Sequence, residues 1–204
     1  MSSSTGINAF TLLTDTIYSY KKHEDESNKW RDSPFKDIRS LQSNNVGGVG
    51  ETMIQHICDT LNISATINGT KTKQVGGGDG DGIILEKSVE IKTAVEGSTS
   101  TSYQHELGEK PWNANYIMFI DISPDCFYLT IFKNFSEEFY KSGNKCHPYF
   151  PTKSVTWRKG VGAFKLDTTK KINETNIEST HTFKVSNGVE IGEDLKAFII
   201  SKLE

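Results

Sequence analysis

Asp79-Gly80-Asp81-Gly82-Ile83-Ile84-Leu85-Glu86-Lys87-Ser88-Val89-Glu90-Ile91-Lys92 is the most informative run of the chain. A glycine-rich turn leads into a short apolar run, and a brief polar turn separates it from Val89-Glu90-Ile91-Lys92-Thr93-Ala94. Val89 and Ile91 alternate with Glu90 and Lys92, the period-2 pattern of a half-buried strand. Alternate residues share a face, so Glu90 and Lys92 project together. If Asp81–Leu85 and Val89–Ala94 pair as a hairpin, one aspartate, one glutamate and one lysine converge on a small volume. Two carboxylates offer hard oxygen donors suited to Mg²⁺. A lysine beside them can hold a water or balance charge on a phosphate.

The glycines before Asp81 do not form a dinucleotide fingerprint, which needs a strand before them and a helix after them. A strand follows instead. The glycine-aspartate pattern occurs once, so it is not a calcium-binding repeat. A loop that lets a ligand approach the backbone is the simpler reading. Asp79 competes with Asp81 as a ligand; Asp81 abuts the strand and is the better held.

Asp81 followed by Glu90-x-Lys92 across a strand turn resembles the PD-(D/E)xK nuclease superfamily, most familiar as type II restriction endonucleases. The resemblance covers roughly residues 47–133. The proline usual before the aspartate is replaced here by Gly80. The resemblance implies a Mg²⁺ bound by Asp81 and Glu90 with the carbonyl of Ile91, and Lys92 orienting the attacking water. It implies 5′-phosphate and 3′-hydroxyl ends, double-stranded DNA as substrate, and a homodimer with one site per strand. A partner methyltransferase is a further implication. Gly-x-Gly-Glu, ending at Glu51, resembles the helix glutamate that many members aim at this site. Glu51 also reads as a first-turn carboxylate favoured by the helix dipole.

The rest of the chain sets the frame. Its 204 residues fit one medium domain, here residues 1–204, with a catalytic core at about 47–133 and a basic region at about 133–171. Hydrophobic content of 35% lies in periodic segments, so the chain reads as globular. Phe10, Leu13, Ile17 and Tyr20 predict a helix over 7–20, followed by a charged loop to Pro34. A turn or two of helix is expected over 35–41. Residues 44–50 read as a glycine-rich break before a helix over 51–61 with Met53, Ile54, Ile57 and Leu61 buried. Strands are expected at 63–68, 116–122, 126–132 and 181–185, a short helix at 102–107, and a closing helix at 193–203. Asp121 reads as a strand end or turn cap. The fold class is therefore α/β: a central mixed sheet flanked by helices, a restriction endonuclease-like core, with a β-rich basic region and a closing helix.

Charge is unevenly spread. The net value of −3 does not by itself point to nucleic acid. Between Lys133 and Lys171, however, nine lysines and arginines face only Glu137, Glu138 and Asp167, with aromatics interleaved. Basic residues neutralise phosphates. Lys153, Trp157, Arg158 and Lys159 are the expected DNA contacts there, and Gln104 is one beyond the motif strand. Cys58, Cys126 and Cys146 lack metal-ligand spacing and suit a reducing compartment as buried thiols. Met1–Gly6 lacks the features of a secretory leader, and no run of about 18 apolar residues occurs. A cytoplasmic protein is the expectation. The functional expectation is a Mg²⁺-dependent, sequence-specific DNA endonuclease. A structure-specific repair, recombination or phage nuclease and a non-catalytic nucleic-acid-binding module are the alternatives.

Overall fold

In the computed structural model, residues 8–68, 80–99, 102–106, 114–133, 155–158, 163–169 and 181–204 are described. Helix α1 spans Ala9–Ser27. A 3-10 turn at Lys36–Ser40 precedes α2, Ser43–Thr60. Strands β1 (Ala65–Ile67), β2 (Gly82–Ile84), β3 (Lys87–Val95), β4 (Ser102–Glu106), β5 (Tyr116–Ile122), β6 (Cys126–Lys133), β7 (Val155–Arg158), β8 (Ala163–Thr169) and β9 (Thr182–Ser186) follow. Helix α3, Glu193–Leu203, closes the chain.

Six strands form a mixed sheet in the order β1-β2-β3-β5-β6-β9, in which only the β3–β5 pair is parallel. The other three form an antiparallel sheet in the order β4-β8-β7. The α/β class with a mixed sheet flanked by helices is thus as the sequence predicts. Among the described residues no helix is long and apolar enough to cross a membrane.

The near-continuous apolar run at 116–122 is a central strand buried along its whole length. Such runs mark strands covered on both faces. Tyr116, Met118, Ile120 and Ile122 join Val89, Ile91, Leu129 and Ile131 in one core with Ile54, Ile57 and Cys58 of α2 and Leu195, Ile199 and Leu203 of α3. Each such aliphatic side chain contributes about 1.5–3 kcal/mol on burial. On the opposite face, β4 lays Tyr103 and His105 over the sheet: His105 lies 4.8 Å from Phe119 and Tyr103 6.4 Å from Tyr128, centroid to centroid. Cys58 and Cys126 are buried thiols, as expected, and burial holds the Cys58 thiol up at about 11. Cys146 lies outside the described residues.

Four expectations are corrected. α1 runs on to Ser27 where a charged loop is expected, because Lys21, Lys22, Glu24 and Glu26 are good helix formers whose polarity only marks an exposed helix. α2 begins at Ser43 and passes through Gly47, Gly48 and Gly50 without a break. Glycine costs about 1 kcal/mol in a helix interior, but at position 50 nothing larger fits. A Cβ there would lie 1.9 Å from Thr93 Oγ1 and 3.1 Å from Ile120 Cδ1. Residues 102–106 form a strand, not a helix. The described part of the connection from β3 to β5 is therefore β4, not the expected helix. The 63–68 strand shortens to Ala65–Ile67.

β2 and β3 join through the two-residue turn Leu85-Glu86, with φ of 49° and 65°. Two positive values define the type I′ hairpin turn, which favours Asn-Gly. A side chain in this region costs about 1–2 kcal/mol. Glu86 is exposed, and its side chain has no hydrogen bond or ion pair to another described residue in return. Glu86→Gly should therefore stabilise the chain by about 0.5–1 kcal/mol once the added freedom of the unfolded glycine is subtracted. Urea unfolding reads this directly, and a loss of stability would show that Glu86 makes a compensating contact.

Candidate active site

The site is built where β2 stops accompanying β3. Their ladder ends at the pair Gly82–Val89, closed by the Asp81 amide donating to the Val89 carbonyl at 2.8 Å. The next donor along β3, the Ile91 amide, is taken by the Asp81 side chain, with Oδ2 accepting at 2.7 Å. The Asp81 carboxylate thus replaces a strand and is held by backbone at the mouth of the opening. Gly80 makes this possible. Its φ of +96° is closed to proline, and a Cβ would lie 2.3 Å from the Val89 carbonyl oxygen. The tight approach of the chain to β3 explains glycine at the position where the resembled family usually has proline.

Beyond this point β3 continues along β5, and its other edge lines a cleft of about 660 Å³. α2 forms one wall with Glu51, Asp81 and Ile91–Val95 the floor, and β4 the far wall with Gln104 and His105. Gly50 seats α2 on Thr93, which carries the next residue, Glu51, to the cleft. Glu51 lies in the third turn of α2, so the first-turn dipole reading falls. Glu90 and Lys92 do project together, and Lys92 Nζ donates to Glu90 Oε1. Their side chains are only 12% and 26% exposed. Lys92 lines the cleft, while Glu90 lies beside it, off the lining.

These charges act on one another. Burial pushes the Glu51 carboxyl up; Asp81 and Glu90 push the same way, and Lys92 opposes them. Burial also raises Glu90, with Lys92 opposing and Asp81 adding. Between the ordinary carboxylate value and these raised values the folded chain holds more protons than the unfolded one, so stability falls as pH rises through that window. Glu51→Gln should raise the melting temperature at pH 7 by about 2–3 °C. The gain should shrink as pH falls towards 4.5, the ordinary carboxyl value. Thermal unfolding across pH reads both, and a destabilised Glu51→Gln would mean that Glu51 is structurally paired.

The donors Asp81, Glu51, Glu90 and the Ile91 carbonyl are all oxygen, the set Mg²⁺ prefers. Among the described residues no three His, Cys, Asp or Glu side chains converge closely enough to hold a metal by themselves. A magnesium ion held by one or two carboxylates, with the remaining positions filled by water, suits such a site.

The remaining expected residues divide in two. Gln104 is exposed on β4 and lines the cleft. Trp157 and Arg158 lie on β7, two strands from β4 in the same sheet. Lys153 and Lys159 lie outside the described residues, as does Asp79.

Sequence reasoning passed over two groups. Asp121 does not cap a turn. It is fully buried within β5, and its Oδ1 lies 2.6 Å from His105 Nε2, itself fully buried. Among the described residues, His105 Nδ1 is buried without a hydrogen-bond partner. Asp121 sits across from Ala94, and Phe119, under the His105 ring, sits across from Lys92. An imidazole held by a carboxylate therefore covers the β5 neighbour of Lys92. The second group centres on Glu96, just past β3, which binds Lys29 Nζ at 2.6 Å and accepts from Ser123 Oγ at 2.8 Å. The Tyr103 hydroxyl, driven far above its ordinary value by burial, shares a bond with Ser123 Oγ. The Glu96 carbonyl accepts from Trp30 Nε1 and an Arg39 guanidinium nitrogen, both at 3.1 Å. Only the alternation of Tyr103 and His105 around Gln104 hinted at either group.

No family model, curated protein or solved structure matches this chain.

Proposed function

We propose that this chain is a Mg²⁺-dependent DNA endonuclease of the PD-(D/E)xK type, resembling type II restriction enzymes and built on a restriction endonuclease-like core. One observation carries the reading. Glu51 of α2, Asp81 before β2 and Lys92 of β3 meet in a single cleft, at the point where β2 leaves β3. A merely solvated Glu-x-Lys strand face would not turn Lys92 into a cleft walled by a helix carboxylate.

Asp81 and Glu90, with the Ile91 carbonyl, are the groups that would hold Mg²⁺, with water filling the remaining positions and Glu51 helping to position it. When bound, the ion polarises the scissile phosphate and lowers the pKa of a bound water. The Ile91 amide fixes one Asp81 oxygen and so orients the other. Lys92, now bonded to Glu90, provides the compact cation that orients the attacking water and balances charge gathering on the phosphate. Gln104 stands across the cleft. The sheet it belongs to leads to Trp157 and Arg158, in the basic region with Lys153 and Lys159. These residues would follow the phosphate backbone and position the duplex. The products would carry 5′-phosphate and 3′-hydroxyl ends. A cognate methyltransferase and a cytoplasmic setting belong to the same reading.

Purified protein is incubated with unmethylated plasmid and phage DNA in Mg²⁺ or EDTA. Discrete Mg²⁺-dependent bands support a sequence-specific enzyme, and sequencing their ends gives the site. A Mg²⁺-dependent smear, or preference for branched DNA, moves the chain to the structure-specific nucleases. Salt-sensitive binding without cleavage makes it a non-catalytic binding module. No cleavage and no binding would overturn the reading.

A further inference from the structure

We propose that α1 is a self-association surface through which two copies of this chain pair antiparallel about a two-fold axis. The proposal stands whether or not the chain cleaves DNA. α1 has 19 residues and buries none of them among the described residues. Phe10, Leu13, Ile17 and Tyr20 are 80%, 57%, 59% and 76% exposed. They form one stripe, since positions three and four apart share a helix face. An apolar stripe on an unpacked helix contributes nothing to its own chain, and helices in water take most of their stability from packing.

The spacing identifies the occupant. Gaps of three, four and three read the same in both directions. An antiparallel two-fold pairing sets Phe10 against Tyr20 of the second copy at both ends and Leu13 against its Ile17 in the middle. A self-complementary patch of this kind is what a two-fold interface requires. The four side chains expose roughly 500 Å² per copy. This is below the ~800 Å² per partner of a standard interface, the size of a weak, reversible pairing.

Charge points the same way. The first turn of α1 has no acidic residue and the last turn no basic one. Glu24, Asp25 and Glu26 instead crowd the negative end of their own helix dipole. In the antiparallel pair Lys21 lies across from Ala9 of the second copy. The acidic cluster then falls roughly 5–8 Å beyond that helix's start, beside its positive end. A lipid surface fits less well. Helices that lie on membranes carry lysine and arginine on the polar face, whereas α1 has Lys21 and Lys22 against Asp15, Glu24, Asp25 and Glu26.

The test is sedimentation equilibrium of the full chain up to about 100 μM, which saturates a micromolar Kd. The wild type should show twice the mass of one chain, and Leu13→Glu/Ile17→Glu should show one. Both positions are exposed, so far-UV circular dichroism should show the variant folded. Orientation follows from mild oxidation. A mixture of Leu13→Cys and Ile17→Cys chains should cross-link across variants more than either alone. A monomeric wild type at the highest concentration would overturn the proposal, as would a double variant that stays dimeric. Leu13→Cys chains cross-linking mainly to themselves would overturn the antiparallel pairing. A monomer that anionic phospholipid vesicles retain, and that the double variant loses, would assign the stripe to a membrane surface instead.

Discussion

If the chain is the endonuclease proposed above, Lys92→Ala is expected to lower its rate of Mg²⁺-dependent DNA cleavage by about 100- to 1,000-fold, the loss typical of removing one group that faces the transition state. The chain should stay folded. Lys92 is 26% exposed and outside the hydrophobic core, and its stem can be lost with little cavity. Two effects reinforce each other. In that reading the attacking water and the phosphate would lose their cation, and Glu90 loses the group that opposes its raised pKa, so ionising it for a metal would cost more. Lys92→Arg should not restore activity, because a planar guanidinium does not reproduce a compact ammonium. Loss of supercoiled plasmid over time, with melting curves alongside, measures both. Lys92→Ala activity within tenfold of wild type would remove Lys92 from the mechanism.

The largest expected effect on stability belongs to a residue outside the cleft. Glu96→Ala should cost about 2–4 kcal/mol, somewhat below the loss for a fully buried pair because Lys29 can regain water. Glu96 is 11% exposed at its side chain and Lys29 29%. The substitution removes the anion facing Lys29 and the acceptor of Ser123, and so loosens the hydroxyl chain that reaches Tyr103 on β4. For a chain of 204 residues the melting temperature should fall by about 5–12 °C. Glu96→Gln keeps an acceptor for Ser123 and should lose less. Because this network ties β3, the segment around Trp30 and β4 together, the cleft wall bearing Gln104 should loosen with it. Hydrogen exchange of the Tyr103–His105 amides should rise. An unchanged melting temperature would mean that Lys29 and Ser123 find other partners.

Much of the frame could be read from local pattern. The fully apolar run at 116–122, the alternation at 89–92 and the three- and four-residue spacing at 193–203 each state how many faces are covered. The structure agrees at all three. The pairing of Glu90 with Lys92 follows from strand periodicity alone. Local pattern misled where a distant contact reversed it. Gly47, Gly48 and Gly50 read as a break, since glycine disfavours helix. Yet Gly50 is what lets α2 reach Thr93 and set Glu51 beside Asp81. Residues 102–106 read as helix because their partner, β8, lies some sixty positions downstream. Asp121 read as a strand end or a turn cap; it does lie one residue from the end of β5, but it is buried against a histidine from another sheet, which no local pattern shows.

The class of fold, the strand carrying Glu90 and Lys92, and the aspartate ahead of it could be read from neighbours within a few residues. Long-range contacts alone set where β2 leaves β3 at Asp81, placed Glu51 in the middle of a helix, and buried His105 against Asp121 and Glu96 against Lys29 and Ser123. Those outcomes depend on which backbone donors lose a strand and which side chains have no room. Both are set by contacts tens of residues apart, which no local periodicity encodes.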